Sequence, residues 1–185
     1  MKELTEKSGG LAGHLLLAHP SLRDPNFSRT VILMSTHDEA GAMGVVLNRP
    51  LQKKLSQLNA DFALTPLADV PVYRGGPVET EKVILVAWQW REKQSEFQLN
   101  FGLEVGEAGI LAGAPGMTVR AFLGYAGWGQ GQLDNELRQH TWFTVPVADH
   151  RLTAAEGTGL WRRILGSLAP ELKLLADEPD DPTLN

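Results

Sequence analysis

Among the side chains able to hold or transform a ligand, three arginines, the histidines and one run of adjacent titratable groups stand out. Arg49, Arg74 and Arg120 each fall near the end of a run that reads as a strand. If those ends meet, the guanidinium forks form an anion site, because their donors match a carboxylate or phosphate in geometry and charge. The plainer alternative is arginines solvated at sheet ends or paired with acids such as Glu79. His37, Asp38 and Glu39 are consecutive, and adjacent titratable groups could serve a cryptic hydrolase or transferase site. Five histidines are present, yet none belongs to H-E-x-x-H, and His14 and His19 do not share a metal-ligand spacing. No G-x-S-x-G nucleophile turn occurs, although triads are defined by geometry and can evade a spacing search. Neither a metal nor a cofactor is expected, and no catalytic residue is assigned.

The most constrained stretch is Gly124-Tyr125-Ala126-Gly127-Trp128-Gly129-Gln130-Gly131-Gln132-Leu133-Asp134-Asn135-Glu136. It reads as an apolar strand running through a glycine turn into a helix, with Gly127 at a position that needs positive φ. A glycine turn opening a helix often holds phosphate, since the first helical N–H groups lack internal partners. Here the spacing matches no phosphate-binding fingerprint, the stretch lacks lysine, and Asp134 and Glu136 place negative charge at the helix start. An architectural corner is the better reading.

The elements that must position these groups follow from periodicity. Gly13–His19 reads as a short strand ended by Pro20, and Asp24-Pro25-Asn26 has turn chemistry. Thr30–Met34 is apolar on both faces, as a covered central strand would be. The polar segment 37–41 connects it to a strand over 44–48 by a loop longer than the tightest hairpin, and Pro50 ends that run. Leu51, Leu55 and Leu58 recur at helical spacing. Strands are expected at 70–73, 82–88 and 97–101, with Arg74-Gly75-Gly76-Pro77 as a turn. The five glycines between Gly102 and Gly116 argue against a long helix there. A strand over 118–123, a helix carrying Leu133 and Leu137, a strand over 141–145 and a helix over 160–168 stopped by Pro170 complete the pattern. Tyr125, Trp128, Trp142 and Trp161 read as core, whereas Trp88, Trp90 and Arg91 present a candidate docking patch.

At 185 residues, with 43% hydrophobic and 21% charged residues, the chain is expected to form one α+β domain over 1–185, with 1–10 flexible. A chain of this size buries roughly 70% of the surface its unfolded form exposes. The formal charge of −5 repels nucleic acid and anionic membrane. Absence of cysteine removes disulfides and thiol chemistry and fits a reducing compartment. The start is polar and the apolar run 15–18 is too short for a signal peptide or span, so a cytoplasmic location is expected.

Taken together, four segments resemble the YqgE/AlgH family of bacterial proteins. They are Asp24-Pro25-Asn26-Phe27, Gly41-Ala42-Met43-Gly44-Val45-Val46-Leu47-Asn48-Arg49-Pro50, Gly75-Gly76-Pro77-Val78, and Gly124-Tyr125-Ala126-Gly127-Trp128 followed by Gly131-Gln132-Leu133. The closing residues 180–185 are similar to the family's C-terminal pattern as well. The resemblance implies a compact domain with mixed, largely antiparallel sheets and a few packed helices. It also implies a regulatory role, through a transcriptional-regulator label that follows an association with alginate production. It carries over no catalytic residue and no cofactor.

The resulting expectation is a non-enzymatic regulatory or binding protein. Its surface for a protein or small-molecule partner would lie at Asn48, Arg49, Arg74, Gly75 and Gly76, with Asp24, Pro25, Gly124, Tyr125, Gly127, Trp128, Gly131 and Gln132 as structural motif. An enzyme using His37, Asp38 or Glu39 is one alternative. A regulator that contacts DNA directly is another, disfavoured by the acidic charge and the lack of a helix-turn-helix pattern.

Overall fold

The computed structural model describes residues 10–147, 152, 157–168 and 170–177. In it the apolar runs pair into strands β1 (His14–Ala18), β2 (Val31–Asp38), β3 (Gly41–Val46), β4 (Pro50–Lys54), β5 (Pro71–Arg74), β6 (Val78–Arg91), β7 (Glu96–Phe101), β8 (Thr118–Gly129) and β9 (Trp142–Pro146). Helices α1 (Leu55–Leu58), α2 (Val105–Ala112), α3 (Gln132–Arg138), α4 (Thr158–Leu168) and α5 (Pro170–Asp177) are interspersed. Every strand pair is antiparallel except β5 with β8, so the sheet is mixed and the fold α+β. The expectations for the first nine residues and for the 180–185 tail lie outside the described residues.

The long strand β8 belongs to two half-sheets. Its first half lies between β5 and β6, and its second half pairs with β3, beyond which β2, β1 and β9 follow. Side chains alternate across a strand, and β8 uses the alternation twice with opposite parity. Before Gly124, Val119 and Ala121 pack with the layer under α1 and α2, while Phe122 enters the central core. After it, Tyr125 faces the central core while Ala126 and Trp128 join the layer under α3. Gly124, at φ 69, supplies the reversal as a bulge does, by spending one residue outside the regular pleat.

The central core lies between the half-sheets and α4. Leu15, Leu17, Val31, Leu33 and Val45 come from one half, Tyr73, Val86 and Phe122 from the other, and Trp161, Ile164 and Leu165 from the helix. The Trp161 indole N–H donates to the Ala18 carbonyl at 2.9 Å, fixing α4 on the sheet. Covered on both faces as expected, β2 sends Val31 and Leu33 one way and Ile32 and Met34 the other. Trp128, Trp142 and Trp161 are core. Glu136 on α3 accepts from both the Trp128 and Trp142 indoles, at 2.9 and 2.7 Å, which ties the helix to the strands beneath it.

Several local expectations are corrected. The stretch from Gly124 to Gly129 is strand, and the turn into α3 occupies only Gln130 and Gly131. Gly127 pairs with Met43 in ordinary extended geometry; the positive φ belongs to Gly124. The 37–41 segment is a tight hairpin, because pairing continues to Asp38 opposite Gly41. Pro50 opens β4 instead of ending a run, and Leu51 is in that strand, leaving a single helical turn at Leu55–Leu58. Pro170 starts α5, where proline's missing N–H is harmless. Between Gly102 and Gly116 the helix α2 forms despite two internal glycines, since burial of Ala108 with Leu111 and Ala112 against β6 and β8 outweighs a propensity penalty of about 1 kcal/mol per glycine.

A Cβ on Gly124 would lie 2.7 Å from the carbonyl oxygens of both Gly76 and Val78. Gly124→Val should therefore lower the unfolding free energy by about 3 kcal/mol or more, combining contact with left-handed strain. Gly127→Ala meets the Tyr125 ring edge at 3.2 Å and a Val78 methyl at an ordinary 3.9 Å, and should lose about 1 kcal/mol or less. Urea unfolding of both variants, followed by tryptophan fluorescence, checks this order.

Candidate functional site

Backbone hydrogen bonds bring together the turns that carry Arg49 and Arg74. The Arg74 N–H donates to the Arg49 carbonyl at 2.9 Å, the Val46 N–H to the Gly75 carbonyl at 2.8 Å, and the Gly75 N–H to the Leu123 carbonyl at 2.8 Å. The ends of β3 and β5 thus meet beside β8 at Gly124. Side chains at these positions would prevent the approach: a Cβ on Gly75 would fall on the Gly124 carbonyl oxygen, and one on Gly76 on the Tyr125 carbonyl. Two glycine motifs far apart in sequence are one packed junction.

Over this junction opens a cleft of about 520 Å³, lined on its polar side by Asn26, Arg49, Arg74, Thr80 and Glu81 and floored by Val46, Leu51 and Leu123. Thr80 and Glu81 project from a bulge in β6, where pairing with β8 skips from Val78 to Val83. Two non-glycine residues in left-handed geometry flank the cleft, Gln52 at φ 55 and Glu79 at φ 49. Each stores on the order of 1 kcal/mol of strain, and such residues cluster where a fold shapes a site.

Arg49 is half-buried, and its Nη2 donates to the carbonyls of Pro25 at 3.1 Å and Ser28 at 3.3 Å. Asp24 shapes that loop by accepting from the Asn26 and Phe27 N–H groups. Burial pushes the Arg49 pKa down, the neighbouring Arg74 cation pushes it further, and Asp24 offsets part of this. Arg74 is exposed, and its guanidinium makes no hydrogen bond or ion pair among the described residues. Two guanidiniums held in mutual repulsion over a cleft are arranged to take an anion.

The remaining sequence candidates separate. Asn48 is buried, and its amide is consumed: Oδ1 accepts from the Val31 N–H at 2.9 Å, and Nδ2 donates to the Arg29 and Gly157 carbonyls at 2.9 and 3.1 Å. It anchors the segment that presents Arg49. Gln132 accepts from the Gly129 N–H and donates to Glu136, closing the turn at Gly131. Arg120 does not join the other two arginines. It is buried with its guanidinium 4.6 Å from the Tyr73 ring centre and 5.1 Å from that of Trp88. Its pKa is lowered by burial, with Tyr73 pulling the other way. Trp88 is core, whereas Arg91 is exposed and lies 3.8 Å from Glu96, so the candidate docking patch keeps Trp90 and Arg91. His37 sits 3.3 Å from Asp134, Asp38 accepts from the Ala40 N–H, and Glu39 is exposed in the hairpin turn. None of the three lines the cleft.

The sequence marks Asn26 only as part of the Asp24-Pro25-Asn26-Phe27 turn motif and does not single out Thr80 or Glu81. Nothing local marks them, since Thr80 and Glu81 reach the cleft through a bulge visible only in the pairing of β6 with β8.

A family model described as AlgH-like matches residues 15–173. A UPF0301 protein of Streptomyces avermitilis is 39% identical over 199 residues, covering 100% of both chains. One from Xanthomonas oryzae pv. oryzae is 38% identical over 177 residues, covering 90% of this chain and 94% of the relative. Among solved structures, a Corynebacterium diphtheriae protein aligns with a TM-score of 0.70 at 25% identity over 94% of this chain and 95% of the other. The solution structure of the AlgH protein from Pseudomonas aeruginosa aligns at 0.64 and 29% identity, covering 98% and 100%.

Replacing Asn48 by alanine should cost about 3 kcal/mol, because one buried and two half-buried hydrogen bonds vanish and the Val31 N–H is left unpaired. Arg74→Ala should change stability by about 0.5 kcal/mol or less. Equilibrium denaturation of the two variants tests whether the first residue is structural and the second free for another purpose.

Proposed function

The chain belongs to the AlgH-like family, and on that premise we propose that it is a non-enzymatic regulatory protein whose Arg49–Arg74 cleft binds a small molecule with an anionic head group. The observation that carries this reading is the Arg74 guanidinium: exposed at the cleft, without a partner among the described residues, and close enough to Arg49 to depress its pKa. An anion between the two would replace repulsion by charge-assisted hydrogen bonds. Thr80, Asn26 and Glu81 add a hydroxyl, an amide and a carboxylate to the lining, which suits a ligand that also carries donors. The volume falls within the several hundred Å³ usual for small-molecule sites.

Regulation in this reading passes through a protein partner that responds to the occupied cleft. Direct DNA contact is not favoured: the net charge of −5 opposes the phosphate neutralisation that dominates nucleic-acid affinity. A cytoplasmic setting belongs to the same proposal. No helix among the described residues is long and apolar enough to cross a membrane.

Pyrophosphate and citrate serve as probe anions in thermal-shift and calorimetric titrations. Wild-type protein should be stabilised by at least one of them, and Arg74→Ala should weaken binding roughly tenfold or more. Arg74 is the cleaner test because Arg49 also holds the 25–28 loop. Equal binding by wild type and Arg74→Ala would remove the cleft from consideration, and duplex DNA retained at low ionic strength through Arg74 would replace the small molecule by nucleic acid.

A further inference from the structure

A second cleft, of about 240 Å³, lies on the other side of β8 from the one above and shares no lining residue with it. Its walls include Trp88, Trp90, Phe97, Thr118, Arg120 and Leu152. Arg120 is only 6% exposed. Its Nη2 reaches the Leu152 carbonyl at a long 3.4 Å, and its Nη1 is buried with no partner among the described residues. No carboxylate lies within ion-pair distance of it among the described residues.

This is an expensive arrangement for structure alone. Moving a guanidinium out of water is costly even after relaxation, and an unmet buried donor adds to that cost. The two aromatic faces offset part of it, and they leave the in-plane Nη1 donor untouched. What the site lacks is a single acceptor with negative charge, delivered by something that also covers apolar walls.

We propose that this cleft binds a small organic monocarboxylate with a flat apolar body, of about benzoate size, with Arg120 Nη1 donating to the carboxylate and Trp90 and Phe97 packing on the body. A phosphate fits the chemistry less well, because its several charged oxygens would face Arg120 as the one cation among the described lining residues, with the Gln89 amide already donating to Gln98 and the Thr118 hydroxyl beside it. The volume, below the roughly 300 Å³ at which drug-sized sites begin, limits the ligand to a single ring or a short branched chain.

Titration of sodium benzoate into the full chain, followed by the tryptophan indole N–H resonances, tests this. Trp88 and Trp90 should shift and Trp142 and Trp161 should not. Arg120→Met, which keeps the volume but removes charge and donor, should bind benzoate roughly thirtyfold more weakly. Benzamide, the uncharged analogue, should bind wild-type protein at least about tenfold more weakly than benzoate; this arm needs no variant to fold. The proposal is overturned by unmoved Trp88 and Trp90 resonances at about 10 mM benzoate, by equal affinity for benzoate and benzamide, or by undiminished binding to Arg120→Met.

Discussion

A single left-handed residue, Gly124, sets the relation between the two half-sheets. Strand parity is unforgiving, because a shift of one residue moves every core side chain to the opposite face. Along β8 the fold requires Phe122 and Tyr125 to face the same core across an odd spacing, and only an irregular residue between them allows it. Gly124 meets the requirement at φ 69, pressed against the Gly76 and Val78 carbonyls. Those contacts hold the end of β5, and the end of β5 holds Arg74. Core layering and cleft geometry thus depend on the same close approach of backbones.

Three arginines that look alike in sequence occupy three electrostatic settings. Arg49 is tethered to loop carbonyls, Arg74 is open to solvent, and Arg120 is enclosed by aromatic rings. The difference follows from where each sits relative to β8. Arg49 and Arg74 lie beyond strand ends that converge at the junction, whereas Arg120 lies within the strand, between β5 and β6, on the face that carries Phe122. Placement at a strand end leaves a guanidinium in reach of water; placement inside a sheet forces its charge onto whatever the core offers.

Most strands were legible because apolar runs and alternation are local signals. Position and type came through for β1, β2, β5, β7 and β9, and the family's motifs lay in readable order. Elements governed by distant contacts were harder. The glycine stretch read as a turn because four glycines suit one, yet β3 pairs with it and keeps it extended. The 102–116 segment read as unsuited to a long helix because its glycines weaken one, and the helix that packing against β6 and β8 sustains there is the short α2. For the site, the turns at Arg49 and Gly75 were identifiable and their meeting was not, since the bonds from Arg74 to Arg49 and from Val46 to Gly75 join positions separated by β4, α1 and the run into β5. Asn48 shows the reverse failure: a polar residue beside a turn read as surface, while its amide is consumed in the interior.

The position of β8 in the chain also dictates an order of assembly. Strands β3, β5 and β6 all need it as a neighbour, yet it begins only at Thr118. During synthesis at several residues per second, the hairpin of β2 and β3 and the ribbon of β6 and β7 can form early, while their edges toward β8 stay open. Only when residues 118–129 leave the ribosome can the two halves be joined, and contacts that span so much chain are slow to form. The interval before that closure is when this protein most needs protection from pairing with other chains.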